Sequence, residues 1–125
     1  MKSVVVTGAE RGVGKAITKA LVEAGYHIIA VSIFMHDLEK MKEEMVNDLG
    51  ISGERIDLIE FDLREVDEIG SLVEEIKTCI DDSRPLWGYV NNAAIYFPSS
   101  KKGSRLLDIT LDDMMEILKV NMISA

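Results

Sequence analysis

The sequence predicts an α/β fold, a doubly wound parallel sheet with helices on both faces, and three observations carry the prediction. Apolar strand-like runs alternate strictly with stretches of helical periodicity, which calls for parallel strands joined by crossover helices. Those runs are apolar on both faces, as a sheet covered on both sides requires. A glycine-bearing turn, TGAERGVG at residues 7–14, joins the first run to the first helix.

Taken in order, residues 2–6 predict a short buried strand, β-branched and stopped by Gly8. Residues 12–24 predict a helix whose apolar stripe is Val13, Ala16, Ile17, Ala20, Leu21 and Ala24, closed by Gly25. Residues 27–33 predict a second buried strand. Residues 37–49 predict a helix on Leu38, Met41, Met45 and Leu49, with Asp37 as its N-cap and Gly50 as its stop. A third strand is expected over 55–63, and a third helix over 66–80 on Ile69, Leu72, Val73, Ile76 and Ile80. A fourth strand follows Pro85, over 86–95. Residues 98–105 predict a polar loop carrying Lys101, Lys102 and Arg105. Thr110-Leu-Asp-Asp113 resembles a capping box, with aspartate for the usual Glu or Gln, opening a last helix that runs to Ala125.

Composition narrows the function classes. One domain suits 125 residues, and 47% apolar with 29% charged residues is an ordinary soluble balance. Net charge is −8, from 22 acids and 14 bases, which disfavours a nucleic-acid partner. Cys79 is the sole cysteine, so no internal disulfide forms, neither usual zinc pattern occurs, and a reducing, cytoplasmic setting is expected. No apolar segment follows Lys2 as in a signal peptide, and the near-apolar run 26–35 is too short for a bilayer.

A strand, a glycine turn and a helix together make an anion site. The first-turn N–H groups of the helix have no intrahelical partner and point outward at the anion. Gly8 permits a sharp exit from the strand, Gly12 a close backbone approach to a phosphate, and Gly14 tight packing of helix on sheet. A plain strand–helix connection without ligand would also accept these glycines. A triphosphate loop is the neighbouring alternative, since Gly14-Lys15 has the required pair and Asp62 ends an apolar stretch. It fails at two chemically needed positions: Ala9 stands where the first glycine belongs, and Ala16 where the Mg²⁺-binding hydroxyl belongs.

Three further segments accompany Thr7-Gly-x-x-x-Gly-x-Gly14: Asp62-Leu63, Asn91-Asn-Ala-Ala94 and Val120-Asn121. In this order and spacing they resemble the short-chain dehydrogenase/reductase (SDR) family over the whole chain. The resemblance implies a Rossmann-like sheet of strand order 3-2-1-4, incomplete here, binding NAD or NADP at the switch point between strands one and four. It implies that Thr7, Gly8, Arg11, Gly12, Val13 and Gly14 form the cofactor turn, that Asp62, beside Leu63, bonds the adenine amino group, and that Asn91, Asn92 and Ala93 lie beside the adenosine ribose. Ala94 departs from the family's glycine. Asn121 matches a helix asparagine that organises a proton-relaying water next to the catalytic lysine. The position that selects the cofactor after strand two is Ser32, so the NAD-selecting acid is absent; Arg11 suits the 2′-phosphate of NADP, the expected cofactor, with NAD the alternative. Residues 84–95 resemble the branch acting on retinoids, steroids and other carbonyl compounds.

The family's reactive residues, a serine and then Tyr-x-x-x-Lys, fall after Asn121. In this chain Tyr26, Tyr89 and Tyr96 are followed four residues on by Ala30, Ala93 and Ser100. Unperturbed, a tyrosine of pKa ~10 is a poor base at neutral pH. The expectation is therefore the cofactor-binding N-terminal part, residues 1–125, of an oxidoreductase acting on a small alcohol or carbonyl compound. A non-catalytic dinucleotide-binding or partner-binding module is the alternative. Strand four then presents an apolar edge that favours self-association, so a homo-oligomer is expected.

Overall fold

A computed structural model describes residues 1–94 and 110–123. Its sheet has four parallel strands in the order β3-β2-β1-β4, formed by β1 (Ser3–Thr7), β2 (His27–Ser32), β3 (Ile56–Glu60) and β4 (Leu86–Val90). The helices are α1 (Gly12–Glu23), α2 (Met35–Leu49), α3 (Ile69–Thr78) and α4 (Leu111–Leu118), the last continuing into a π-helical turn, Lys119–Ile123. The expected doubly wound architecture and strand order are present.

Alternation along the central strands divides the core into two layers. Val4 and Val6 of β1, Ile28 and Ala30 of β2, and Ile56 of β3 face Val22 of α1 and Leu38, Met41 and Met45 of α2. Val5, Ile29, Val31 and Ile59 point the other way, toward Leu63, Leu72 of α3 and Val120. Each fully buried aliphatic side chain in such a layer contributes about 1.5–3 kcal/mol of transfer free energy. β4 is different. Leu86, Trp87 and Tyr89 are exposed, and among the described residues only β1 pairs with it. Lys2 Nζ lies 3.5 Å from the centre of the Trp87 ring and covers part of that apolar edge.

Several boundaries differ from the sequence expectation. β1 extends through Thr7, and β2 stops at Ser32. β3 ends at Glu60, which puts Asp62 and Leu63 in the following turn, and β4 ends at Val90. Ile95 and the polar loop 98–105 lie outside the described residues. The helix expected over 66–80 opens as a 3₁₀ turn, Val66–Glu68, before α3 begins. Asp37 is not an N-cap: α2 begins two residues earlier, Phe34 occupies the cap, and Asp37 sits in the first turn, where its charge suits the helix dipole. The Thr110 box is present in full, Thr110 Oγ1 accepting from the Asp113 N–H and Asp113 Oδ2 from the Thr110 N–H.

The largest correction concerns α1. Its buried residues are Gly14, Thr18 and Val22, whereas Val13 is 69% exposed and Ala16, Ala20 and Ala24 face outward. Of the expected stripe, Ile17 and Leu21 are half-buried, with Leu21 packed against the layer that holds Val22, while contact at Gly14 turns the remainder outward. Thr18 is tolerated inside because its hydroxyl donates to the Gly14 carbonyl, 2.8 Å away.

At the opposite end of the sheet a polar relay, buried at Ser3 and His27 and half-exposed at Asp57, crosses three strands. His27 Nδ1 lies 2.7 Å from Ser3 Oγ and Nε2 lies 2.7 Å from Asp57 Oδ2, while Ser3 Oγ donates to the Arg84 carbonyl. Burial pushes the His27 pKa below its ordinary 6.5, against the opposing pull of Asp57. The unfolded chain then binds a proton at pH values where the folded chain does not. Stability is expected to be full above about pH 6.5 and to fall as pH drops toward the folded pKa of His27. Urea midpoints between pH 5 and 7.5 check this: His27→Gln should flatten that stretch of the profile, and an unchanged slope would refute the assignment.

Candidate functional site

The glycine turn is built by hydrogen bonds from the end of β4. Thr7, 1% exposed, accepts at Oγ1 from the N–H groups of Asn92 (3.1 Å) and Ala93 (3.0 Å) and donates to the Val90 carbonyl. The Asn92 side-chain amide donates to the carbonyls of Thr7 (3.1 Å) and Gly8 (3.2 Å), and the Gly8 N–H reaches the Val31 carbonyl. Gly8 (φ +65°) and Gly12 (φ +57°) occupy the left-handed region that side chains other than glycine rarely adopt. Gly14 is required for a different reason: a Cβ there would strike the Gly8 carbonyl and the Asn92 amide.

The N-terminus of α1 is left open. Arg11, at the N-cap, makes no side-chain cap, and the first turn holds no acid. The first-turn amides therefore retain the free donors and positive dipole end that attract an anion.

Beside the turn lies a cavity of about 490 Å³ at the C-terminal ends of the strands, where ligands bind in open α/β sheets. Gly8, Glu10, Arg11 and Val13 form one wall; Val31, Ser32, Ile33 and Phe34 form the second; Phe61, Asp62, Leu63 and Arg64 form the third; Asn92, Ala93, Ala94 and Val120 close it. Ser32 Oγ accepts from the Phe34 N–H, which turns the chain and presents the Phe34 ring. The Arg11 guanidinium sits 5.3 Å from the centre of that ring, with 73% of its side chain exposed.

Asp62 is engaged from within the chain. Its carboxylate accepts from the Arg64 N–H (2.9 Å), Nε (3.0 Å) and Nη2 (2.8 Å), and Arg64 Nη1 reaches Glu116 of α4 at 3.0 Å. The guanidinium holds Asp62 below the usual carboxylate range, and both acids push the Arg64 pKa upward. An adenine amino group would share an acceptor that Arg64 already fills to much of its capacity.

The structure thus brings Gly8, Arg11, Val13, Ser32, Asp62, Leu63, Asn92 and Ala93 to one cavity, with Thr7, Gly12 and Gly14 shaping the turn beneath it. Asn91 is exposed and outside the lining. Asn121 is half-buried in the π-helical turn, one residue beyond Val120, which lines the cavity. Sequence reasoning missed Glu10, Phe34, Phe61 and Arg64. Phe34 and Phe61 each stand just past a strand's C-terminal end, a signal available in the sequence; the pairing of Arg64 with Glu116 spans 52 positions and had no sequence signal. Among the described residues no group of three His, Cys, Asp or Glu is placed to hold a metal ion, and no helix is long and apolar enough to cross a membrane.

A doubly wound sheet with a glycine turn at its switch point defines a dinucleotide-binding class of fold. The chain belongs to the short chain dehydrogenase family, whose model matches residues 2–125. It is 28% identical to human retinol dehydrogenase 16 over 122 residues, covering 98% of this chain and 35% of that protein. It is 35% identical to the chloroplastic protochlorophyllide reductase of Daucus carota over 107 residues, 85% of this chain and 25% of the relative. Among solved structures, the alcohol dehydrogenase of the archaeon Thermococcus sibiricus, complexed with 5-hydroxy-NADP, superposes with a TM-score of 0.78 at 26% identity, covering 99% of this chain and 48% of that one. The chain therefore spans about a third of the first of these relatives, a quarter of the second, and about half of the solved one.

Proposed function

We propose that this chain is the nicotinamide-dinucleotide-binding domain of an oxidoreductase that transfers hydride between NADP, or NAD, and a small alcohol or carbonyl compound. The observation that carries the reading is the uncapped α1 N-terminus held beside a cavity by the Thr7–Asn92 lock. The turn fits the cofactor's pyrophosphate: Gly8 and Gly12 keep the backbone bare, and the first-turn amides supply donors without a proton to lose. When bound, the dinucleotide supplies the hydride chemistry. The residues present bind and orient it, with Phe34, Phe61 and Leu63 as apolar walls and Asn92 and Ala93 at the closing edge. Arg11 supports NADP, because an exposed guanidinium lining the cavity pairs well with a 2′-phosphate. The NADP analogue in the Thermococcus sibiricus alcohol dehydrogenase, itself a relative in fold and sequence, agrees with that preference. Asn121 is assigned a positioning role near the reacting end, and the small-molecule substrate and a cytoplasmic, self-associating state belong to the same reading.

Calorimetric titration of the 125-residue chain with NADPH and NADH is the test. Saturable binding without turnover is expected, since none of its tyrosines is followed four residues on by lysine. Absence of binding by the folded chain would overturn the reading, and carbonyl reduction by this chain alone would overturn the assignment of catalysis to a Tyr–Lys pair.

A further inference from the structure

One acid in the glycine turn is built unlike a surface residue. The Glu10 side chain is only 7% exposed, lines the cavity, and carries a buried oxygen, Oε2, with no hydrogen-bond partner. Its other oxygen lies 3.9 Å from Arg11 Nε, an ion pair but too long for a hydrogen bond. Lys15, which shares a second hollow with Glu10, is committed to Glu44. A carboxylate held this deeply without a donor is costly, and a donor brought within its reach would offset that cost.

The sequence offers no acid at Ser32 to accept from a ribose hydroxyl, but Ser32 and Glu10 face the same cavity from different walls. Resting on the dinucleotide reading above, we infer that Glu10 is a specificity-determining residue, its carboxylate accepting a hydrogen bond from an adenosine ribose hydroxyl and opposing a 2′-phosphate at the same place. Arg11 and Glu10 then act against each other. The guanidinium attracts the 2′-phosphate of NADP; the adjacent carboxylate repels it and favours the free diol of NAD. Arg11 alone implies a strong NADP preference, whereas the pair implies a chain that takes both cofactors with similar affinity.

The experiment is calorimetric titration of the wild-type chain, Glu10→Gln, Glu10→Ser and Arg11→Ala with NADH and NADPH, each variant checked for folding by circular dichroism. Loss of one charge-assisted hydrogen bond and one repulsion should raise the NADPH-to-NADH affinity ratio about tenfold or more in both Glu10 variants, and Arg11→Ala should lower it by a similar factor. An unchanged ratio, or equal weakening of both cofactors, in the two folded Glu10 variants would overturn the inference while leaving dinucleotide binding intact. Failure of the wild-type chain to bind either cofactor would instead defeat the underlying reading, and the inference with it.

Discussion

Gly14→Ala is expected to destabilise the fold by on the order of 3 kcal/mol and to abolish dinucleotide binding. The sign is the informative part. In an ordinary helix, exchanging glycine for alanine gains about 0.5–1 kcal/mol, because alanine loses less backbone freedom on folding. Gly14 is the third residue of α1 and is buried, so propensity alone predicts a more stable protein. The added methyl, however, has nowhere to go: it meets the Gly8 carbonyl and the Asn92 amide, both fixed by the hydrogen bonds that tie β1 to the end of β4. Relief requires α1 to move off the sheet, which opens the layer holding Val22 and displaces the first-turn amides together. Gly70, in α3, has nothing within 4 Å of its Cβ position and supplies the control. Gly70→Ala should be neutral or stabilising by about 0.5–1 kcal/mol. Urea denaturation of the two variants decides the matter, and a Gly14→Ala chain as stable as wild type would show that α1 does not rest on the turn as described.

The contrast between these glycines also marks how far the sequence could be read. Elements buried on both faces announced themselves: the β-branched runs of β1 and β2 have no polar side to present, so a parallel, covered sheet was the economical solution, and its strand order followed from the motif resemblance. Gly50, with φ +63°, ended α2 where expected, because a left-handed C-cap is a local event. Long-range backbone contact was not legible. The face α1 turns inward is set by Gly14 against Gly8 and Asn92, residues up to 84 positions apart in the chain, and periodicity cannot see such a contact. Strand ends were misplaced for a related reason. The apolar residues Phe61 and Leu63 continue the pattern of β3 but serve the cavity and the lower core layer instead of the sheet. At the site, the motif residues other than Asn91 came together, whereas Glu10 read as one of three variable positions between glycines. Its burial depends on the cavity wall it helps to form.

Thr7→Val is expected to lose on the order of 2 kcal/mol and to weaken cofactor binding well beyond what that loss of stability explains. Valine nearly preserves the shape of threonine, so no cavity opens in a residue that is 1% exposed. What disappears is one oxygen with three partners. Without it the Asn92 N–H keeps the Val90 carbonyl at 3.1 Å, but the Ala93 N–H loses its partner at 3.0 Å. A part-buried donor left unmatched costs up to its full desolvation, about 1–3 kcal/mol, which can exceed the net worth of an average hydrogen bond. The structural consequence is directional. Thr7 Oγ1 is the point where the segment after β4 is pinned to the turn after β1, and Asn92 and Ala93 both line the cavity. Release of that pin lets the closing edge of the cavity drift while the sheet below, held by the parallel pairing of β1 with β4, stays in register. Thr7→Ser keeps the oxygen and gives up only a methyl group, so it should recover most of the binding. Calorimetry of the valine and serine variants separates the two contributions: equal defects in both would assign Thr7 to packing, whereas rescue by serine alone would assign it to the hydrogen-bonded lock that holds the cofactor turn and the β4 end as one surface.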